Sequence, residues 1–379
     1  MTLQPDVADR ATPSEGGATV SLGTAGSAES GVSPGPDFDP AEIEQRARAA
    51  LPAYVTRYFE TGAGSSQSLA ESVAAWSTLR LWPRILTGVD QVSTATTVLG
   101  TPVASPILVA PMAQQVAAHP DGEAAMARGA YAAGSLLGVS THTGVPFDAI
   151  TGTGSPWWYQ VYVMRDRTLT ARLVERAVAA GARALILTAD MNALLPDAVN
   201  PRNWPTGPGR NRYANLTAAE LEQAGVRGAE VDPTAGLAEI GWLAQISGLP
   251  VLVKGVLRAD DARLVVDAGA VGVVVSTHGG RRMGSSVSSA AALPGVVAAV
   301  GTAAEVYVDS GIRTAEHVAA ALALGARGVF LGRPAMWALA ADGDAGVEAL
   351  LTALTTELAL VMLQLGAADI AALTPDLLA

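Results

Sequence analysis

The chain has 379 residues, a net charge of −11, a pI near 4.8 and a hydrophobic fraction of 50%, which is enough for one large α/β domain with an ample core. The acidic balance argues against nucleic acid or an anionic membrane surface as a partner. With no cysteine, a disulfide framework, a thiolate metal site and a cysteine nucleophile are excluded, so no metal is expected and any redox chemistry needs a bound cofactor.

Residues 1–38 are rich in Gly, Ser, Ala, Thr and Pro without apolar periodicity, and are expected to form a disordered tail. They show neither a basic n-region nor an apolar h-region, and no window approaches about 20 uninterrupted apolar residues. A soluble cytoplasmic chain that avoids membranes is expected. Order begins near Asp39, where an N-cap aspartate, Pro40 and Glu42 predict a helix running to Ala50. A second helix is predicted over Tyr54 to Glu60.

Strand and helix then alternate. Apolar, β-branched runs predict strands at Ile107 to Pro111, Leu137 to Ser140, Trp158 to Val163 and Ala184 to Thr188. Four more follow at Val251 to Lys254, Val271 to Ser276, Val306 to Asp309 and Val329 to Gly332. Helical patterns fall between them at Glu123 to Ala133, Leu169 to Ala180, Ala259 to Ala268 and Ala315 to Leu324, each ending near a glycine. Eight strands in this rhythm predict an α/β chain folded as a (β/α)8 TIM barrel with N-terminal helices, a single domain over residues 39–379. Residues 197–234 break the rhythm between strands four and five, with one short helix near Ala218 to Ala224. That segment is expected to be a loop or lid on the active face. Helices from Ala335 to Leu365 close the outer ring.

Polar chemistry sits at the carboxyl ends of four successive strands, which converge in a barrel. These are Lys254, then Ser276-Thr277-His278-Gly279-Gly280-Arg281, then Asp309-Ser310-Gly311-Ile312-Arg313, then Gly332-Arg333. Lys254 is the only lysine among 24 basic residues. A compact ammonium fits a crowded pocket where a guanidinium fork does not.

From about Leu51 onward these motifs resemble the FMN-dependent α-hydroxy-acid oxidases and dehydrogenases, the family of glycolate oxidase, lactate oxidase and mandelate dehydrogenase. The signature Ser-Asn-His-Gly-x-Arg stands here as Ser276 to Arg281, and Asp-Gly-Gly-x-Arg as Asp309 to Arg313. Pro111-Met112-Ala113, Gln160-Val161-Tyr162, Leu187-Thr188-Ala189-Asp190 and Lys254-Gly255 follow the family order. The resemblance implies bound FMN. Its ring would meet Pro111, Met112, Ala113, Ser140, Gln160, Thr188 and Ser276, and Lys254 would face its N1 edge. Its phosphate would meet Asp309, Ser310, Gly311, Ile312, Arg313, Gly332 and Arg333. The resemblance also makes His278 the base, oriented by Asp190 through an ion pair that raises the imidazole pKa. Arg281 would clamp a substrate anion, and Tyr58 and Tyr162 would bond its oxygens. Oxygen or a soluble acceptor would reoxidise the flavin, and a homotetramer or homo-octamer is implied.

The departures fall on the substrate side. Where the family has a second arginine, gapless counting puts Asp197, with Arg202 as a substitute. His142 takes a position where many members have an aromatic or apolar residue, as a polar pocket wall or a tolerated surface histidine. Thr277 replaces the usual asparagine, and Arg282-Met283-Gly284 replaces Gln-Leu-Asp. A larger α-hydroxy or α-amino acid derivative from a specialised biosynthetic pathway is the expected substrate. Competing readings are a redox-neutral flavin isomerase, a Schiff-base aldolase on Lys254, and a flavoprotein partner without turnover. His119 and His317 read as a structural turn and an outer helix face.

Overall fold

The computed structural model describes residues 19–21, 39–191 and 213–379. A short strand β1 (Thr19–Ser21) precedes the helices α1 (Pro40–Ala50), α2 (Ala53–Glu60) and α3 (Gln67–Thr78). Asp39 caps α1, its carboxylate accepting from the Ala41 N–H at 2.8 Å. β1 pairs antiparallel with β2 (Gln91–Ser93), while β3 (Thr96–Val98) pairs with β4 (Thr101–Val103). Of residues 1–38, only Thr19–Ser21 are described, as strand β1.

The barrel follows, beginning with β5 (Ile107–Met112), α4 (Gly122–Ala132), β6 (Leu137–Val139), α5 (Phe147–Thr151), β7 (Trp157–Val161) and α6 (Arg167–Ala179). It continues through β8 (Leu185–Thr188), α7 (Ala218–Gly228), α8 (Ala238–Ser247), β9 (Val251–Val256), α9 (Ala259–Asp267) and β10 (Gly272–Val275). α10 (Ser289–Val300), β11 (Glu305–Val308), α11 (Ala315–Ala323), β12 (Gly328–Leu331) and α12 (Arg333–Leu365) complete it. Strands β5 to β12 form one closed parallel barrel, with β12 pairing back to β5. All eight strands expected from apolar runs are present. The predicted helix near residue 220 is longer than expected, and the remainder of the anticipated lid up to residue 212 lies outside the described residues.

Alternation along the strands divides the core in two. Trp158 points into the barrel and meets Tyr307 and Phe330 at ring-centroid distances of 5.5 and 6.0 Å, beside Leu108, Ile186, Leu252 and Val274. Its neighbours Trp157 and Tyr159 point outward onto Phe147. Each such buried aromatic or aliphatic side chain contributes about 1.5–3 kcal/mol. The interior plug leaves the carboxyl end of the barrel to host a site.

The C-terminal helices adjoin as α12, with a break at Asp342 and Gly343, whose backbone is not helical. By length and apolar composition it is long enough to cross a bilayer. It packs instead against α4 and α1, burying Leu350, Leu354, Leu358 and Met362. At the kink Asp342 pairs with Arg46 and Asp344 with Arg128, each at 2.7 Å.

Candidate active site

The turn after β10 places the histidine. His278, Gly279 and Gly280 have φ of 55°, 66° and 74°, a left-handed run that a histidine adopts only at a cost. A Cβ at Gly280 would stand 2.9 Å from the Leu69 backbone nitrogen, so only glycine lets α3 approach. The Ser276 hydroxyl accepts from the His278 N–H at 3.0 Å. Nδ1 of His278 lies 3.0 and 3.2 Å from the two carboxylate oxygens of Asp190, just beyond β8. The Lys254-Gly255 step has a steric reason as well. A Cβ on Gly255 would fall 2.7 Å from the Asp190 side chain.

Electrostatics fix the protonation of this pair. Burial pushes the Asp190 carboxyl upward, but the charges of His278, Lys254 and Arg282 and the histidine hydrogen bond outweigh it and hold it at about 2. Burial lowers the His278 pKa, and Lys254 and Arg282 add to that against the opposing pull of Asp190. The net direction is down, which corrects the expected rise. A neutral imidazole at neutral pH is a proton acceptor.

Lys254 is buried on β9, 3.3 Å from Asp309 and donating to the Ser276 hydroxyl at 2.9 Å. Asp309 thus serves the lysine. A row of short polar groups crosses the neighbouring strand ends. Gln160 accepts from the Ser140 hydroxyl at 3.2 Å and the Thr141 N–H at 3.1 Å, and donates to Thr188 at 2.9 Å. Thr188, Gln160 and Ser276 support the wall from behind. Pro111, Met112, Ala113, Ser140, Lys254 and Asp309 face an open-mouthed cleft.

Arg313 and Arg333 lie at the other end of that cleft, and neither forms an ion pair with a carboxylate among the described residues. Arg333 donates to the carbonyls of Phe59 at 2.8 Å and Gly279 at 2.9 Å, and Arg313 to that of Ile312 at 2.8 Å. Burial and then the neighbouring Arg281 and Arg313 push the Arg333 pKa down to about 9. Half-buried cations bonded only to carbonyls suit an anion. Gly311 has φ 94°, and a Cβ there would collide with the Ser72 carbonyl at 2.3 Å, so the Ser310-Gly311-Ile312 turn presents bare backbone beside Gly332. A phosphate with an attached polar heterocycle suits this donor set.

On the substrate side Arg281 stacks its guanidinium 4.6 Å from the Tyr58 ring and donates to the Tyr58 carbonyl at 2.5 Å. Tyr162 lies with its ring 5.2 Å from that of His142. His142 is buried, not a surface residue, with Nε2 3.3 Å from the Tyr213 hydroxyl. That hydroxyl donates to the Ala229 carbonyl at 2.8 Å, so Nε2–H of His142 is the donor to it. Tyr213 and Gln114 line the cleft without having been anticipated, and Arg282, one of the substrate-side departures, lines it too. Gln114 directly follows Ala113 and was legible as a neighbour; Tyr213 carried no signal. Asp197 and Arg202 lie outside the described residues. His119 accepts from the Asp121 N–H, as a turn residue should. His317 is buried between Ser77 and the Arg313 N–H, which corrects its assignment to an outer face.

Residues 47–379 match the family described as FMN-dependent dehydrogenase. L-lactate oxidase of Nostoc sp. is 38% identical over 344 residues, covering 87% of this chain and 94% of the relative. Glycolate oxidase 3 of Arabidopsis thaliana is 39% identical over 331 residues, with 85% and 90% covered. A solved mandelate oxidase superposes with a TM-score of 0.80 at 36% identity, covering 88% of this chain and 96% of that one. A mandelate oxidase variant solved with an FMN adduct gives 0.79 at 35% identity, with 88% and 97% covered. The chain is therefore an FMN-dependent oxidoreductase on a TIM barrel, a member of the FMN-dependent dehydrogenase family that includes the α-hydroxy-acid oxidases.

Proposed function

We propose that the protein oxidises a 2-hydroxy acid, or the corresponding 2-amino acid, whose side chain carries a hydrogen-bonding group, giving the 2-oxo or imino product within a specialised biosynthetic pathway. The observation that carries this reading is the His278–Asp190 pair at 3.0 Å, with His278 on the wall of a cleft that Lys254, Arg281, Tyr58 and Tyr162 also line. FMN, when bound, supplies the two-electron acceptor. With Nδ1 directed at Asp190, Nε2 of His278 is the atom that takes the substrate proton, and Asp190 stabilises the resulting imidazolium. Arg281, with Arg282 beside it, receives the carboxylate, while Tyr58 and Tyr162 orient the oxygens. Lys254 faces the flavin edge that gains negative charge.

The polar wall of His142, Tyr213 and Gln114 favours a hydrogen-bonding substituent over a methyl or phenyl group. The ion pair of Lys254 with Asp309 suits a held cation and disfavours the Schiff-base reading. Oxygen is the proposed reoxidant, in keeping with relatives that are oxidases, and a homotetramer or homo-octamer the proposed assembly. The test is anaerobic mixing of the yellow holoenzyme with a panel of 2-hydroxy and 2-amino acids, followed by air or an artificial acceptor. At least one acid bleaches the flavin. His278→Ala keeps the colour and slows bleaching by about 10²-fold or more; a near-normal rate removes His278 from the mechanism.

A further inference from the structure

The turn that carries His278 and the turn that follows β11 meet at one hydroxyl. Ser310 Oγ accepts from the N–H groups of Thr277 and Gly279, both at 3.1 Å, and these amides flank His278 on either side. The same hydroxyl donates to Oδ1 of Asp309 at 2.5 Å, and Oδ2 of Asp309 is the partner of Lys254 at 3.3 Å. Ser310 is 9% exposed and left-handed at φ 72°, a conformation that glycine adopts freely and serine does not. Its carbonyl is held there by Trp76 Nε1 at 2.9 Å and the Ser289 hydroxyl at 2.8 Å. The phosphate signature that the chain resembles has glycine at this place. Here a strained serine is kept, and the hydroxyl is what the strain retains.

We propose that Ser310 is a positioning residue for the oxidation, its hydroxyl fastening the His278 turn to the Asp309–Lys254 pair so that one group sets both the base and the lysine's field. Thr277, the other substitution in the neighbouring signature, is one of the two residues held, and its own hydroxyl accepts from the Gly280 N–H at 3.1 Å. The two departures are therefore joined in space. Removing the Ser310 hydroxyl leaves two amides without an acceptor and Oδ1 of Asp309 without its Ser310 donor. The His278 turn gains freedom, and Asp309 neutralises Lys254 more completely. The charged groups facing His278 are Asp190, Lys254 and Arg282, and none of them is altered by a substitution at Ser310.

The inference rests on the proposed reaction for its kinetic arm alone. Ser310→Gly and Ser310→Ala holoenzymes both lack the hydroxyl, but only alanine keeps the left-handed strain. Both are expected to bind FMN, to lower the flavin midpoint potential, and to slow anaerobic reduction about tenfold at nearly constant KM, the loss typical of one buried hydrogen bond. Both also shift the acid limb of the rate–pH profile, while melting temperature falls further for alanine than for glycine. Parent-like potential and rate in both variants overturn the proposal. So does a defect confined to alanine, which makes strain the cause, or loss of FMN from both, which makes Ser310 a phosphate ligand only. A parent enzyme that no acid reduces counts against the proposed reaction and leaves the potential measurement standing.

Discussion

Replacing Asp190 with asparagine keeps the shape of the side chain and an acceptor for Nδ1 of His278 while removing the charge. The carboxylate lies 3.0 Å from that nitrogen and is 14% exposed. Opposite unit charges at that separation attract by about 5 kcal/mol at an effective dielectric near 20, an upper bound for the benefit to an imidazolium. The depression of the Asp190 carboxyl to about 2 has the same direction, with Lys254 and Arg282 contributing alongside His278. A variant that loses part of that attraction when His278 accepts a proton should reduce its flavin about 10²–10⁴-fold more slowly, with KM nearly constant. Stopped-flow absorbance of the flavin without oxygen measures this at saturating substrate. The pH dependence has a sign as well. Asp190 raises the imidazole pKa against burial, so its neutralisation moves the acid limb of the rate profile to lower pH. A rate within about threefold of the parent, or an unmoved acid limb, would refute electrostatic assistance by Asp190.

Lys254→Met leaves Asp309, 6% exposed, without its cation, so stability should drop by about 3–5 kcal/mol and the flavin midpoint potential should fall. Chemical denaturation and redox titration read the two effects, and an unchanged midpoint would place Lys254 away from the flavin edge. Glu123 offers a test of the scaffold. Burial raises its carboxyl from 4.5 to about 7 against hydrogen bonds that include the Gly144 N–H at 3.2 Å. A folded pKa above the unfolded one means that the native state holds the extra proton between those values. Stability is then greatest below about pH 4.5 and declines by roughly 3 kcal/mol as pH rises through 7. Glu123→Gln removes that slope from melting temperature measured between pH 5 and 8, and parallel curves for parent and variant contradict the burial argument.

The eight barrel strands were legible because a parallel strand covered on both faces reads as an unbroken apolar run, as Val273-Val274-Val275 does. α10 was not, since Ser289–Val300 is almost wholly apolar or small and lacks the polar stripe that marks an amphipathic helix. In the site, residues at strand ends were legible because the barrel brings those ends together whatever the intervening helices do. Contacts between turns left no such trace. Nothing periodic links Ser310 to Thr277 and Gly279, or His142 to Tyr213, 71 residues apart. Gly255 looked like part of a motif, yet its reason is the room that it leaves for Asp190.

The His278 pKa shows where reading by partners stops. Pairing with a carboxylate raises an imidazole pKa, and a sequence that places Asp190 beside His278 therefore predicts a rise. Burial acts the other way, and its size depends on how the Ser276–Arg282 turn folds inward against α3, together with the cations Lys254 and Arg282 that the turn brings near. Those three influences arise from packing of the turn on α3 and from strand β9, and their sum reverses the sign. A base that is neutral when substrate arrives and is stabilised by Asp190 once protonated needs both opposing effects at once. Asp190 alone would leave the imidazole protonated too early, and burial alone would make the imidazolium too costly to form.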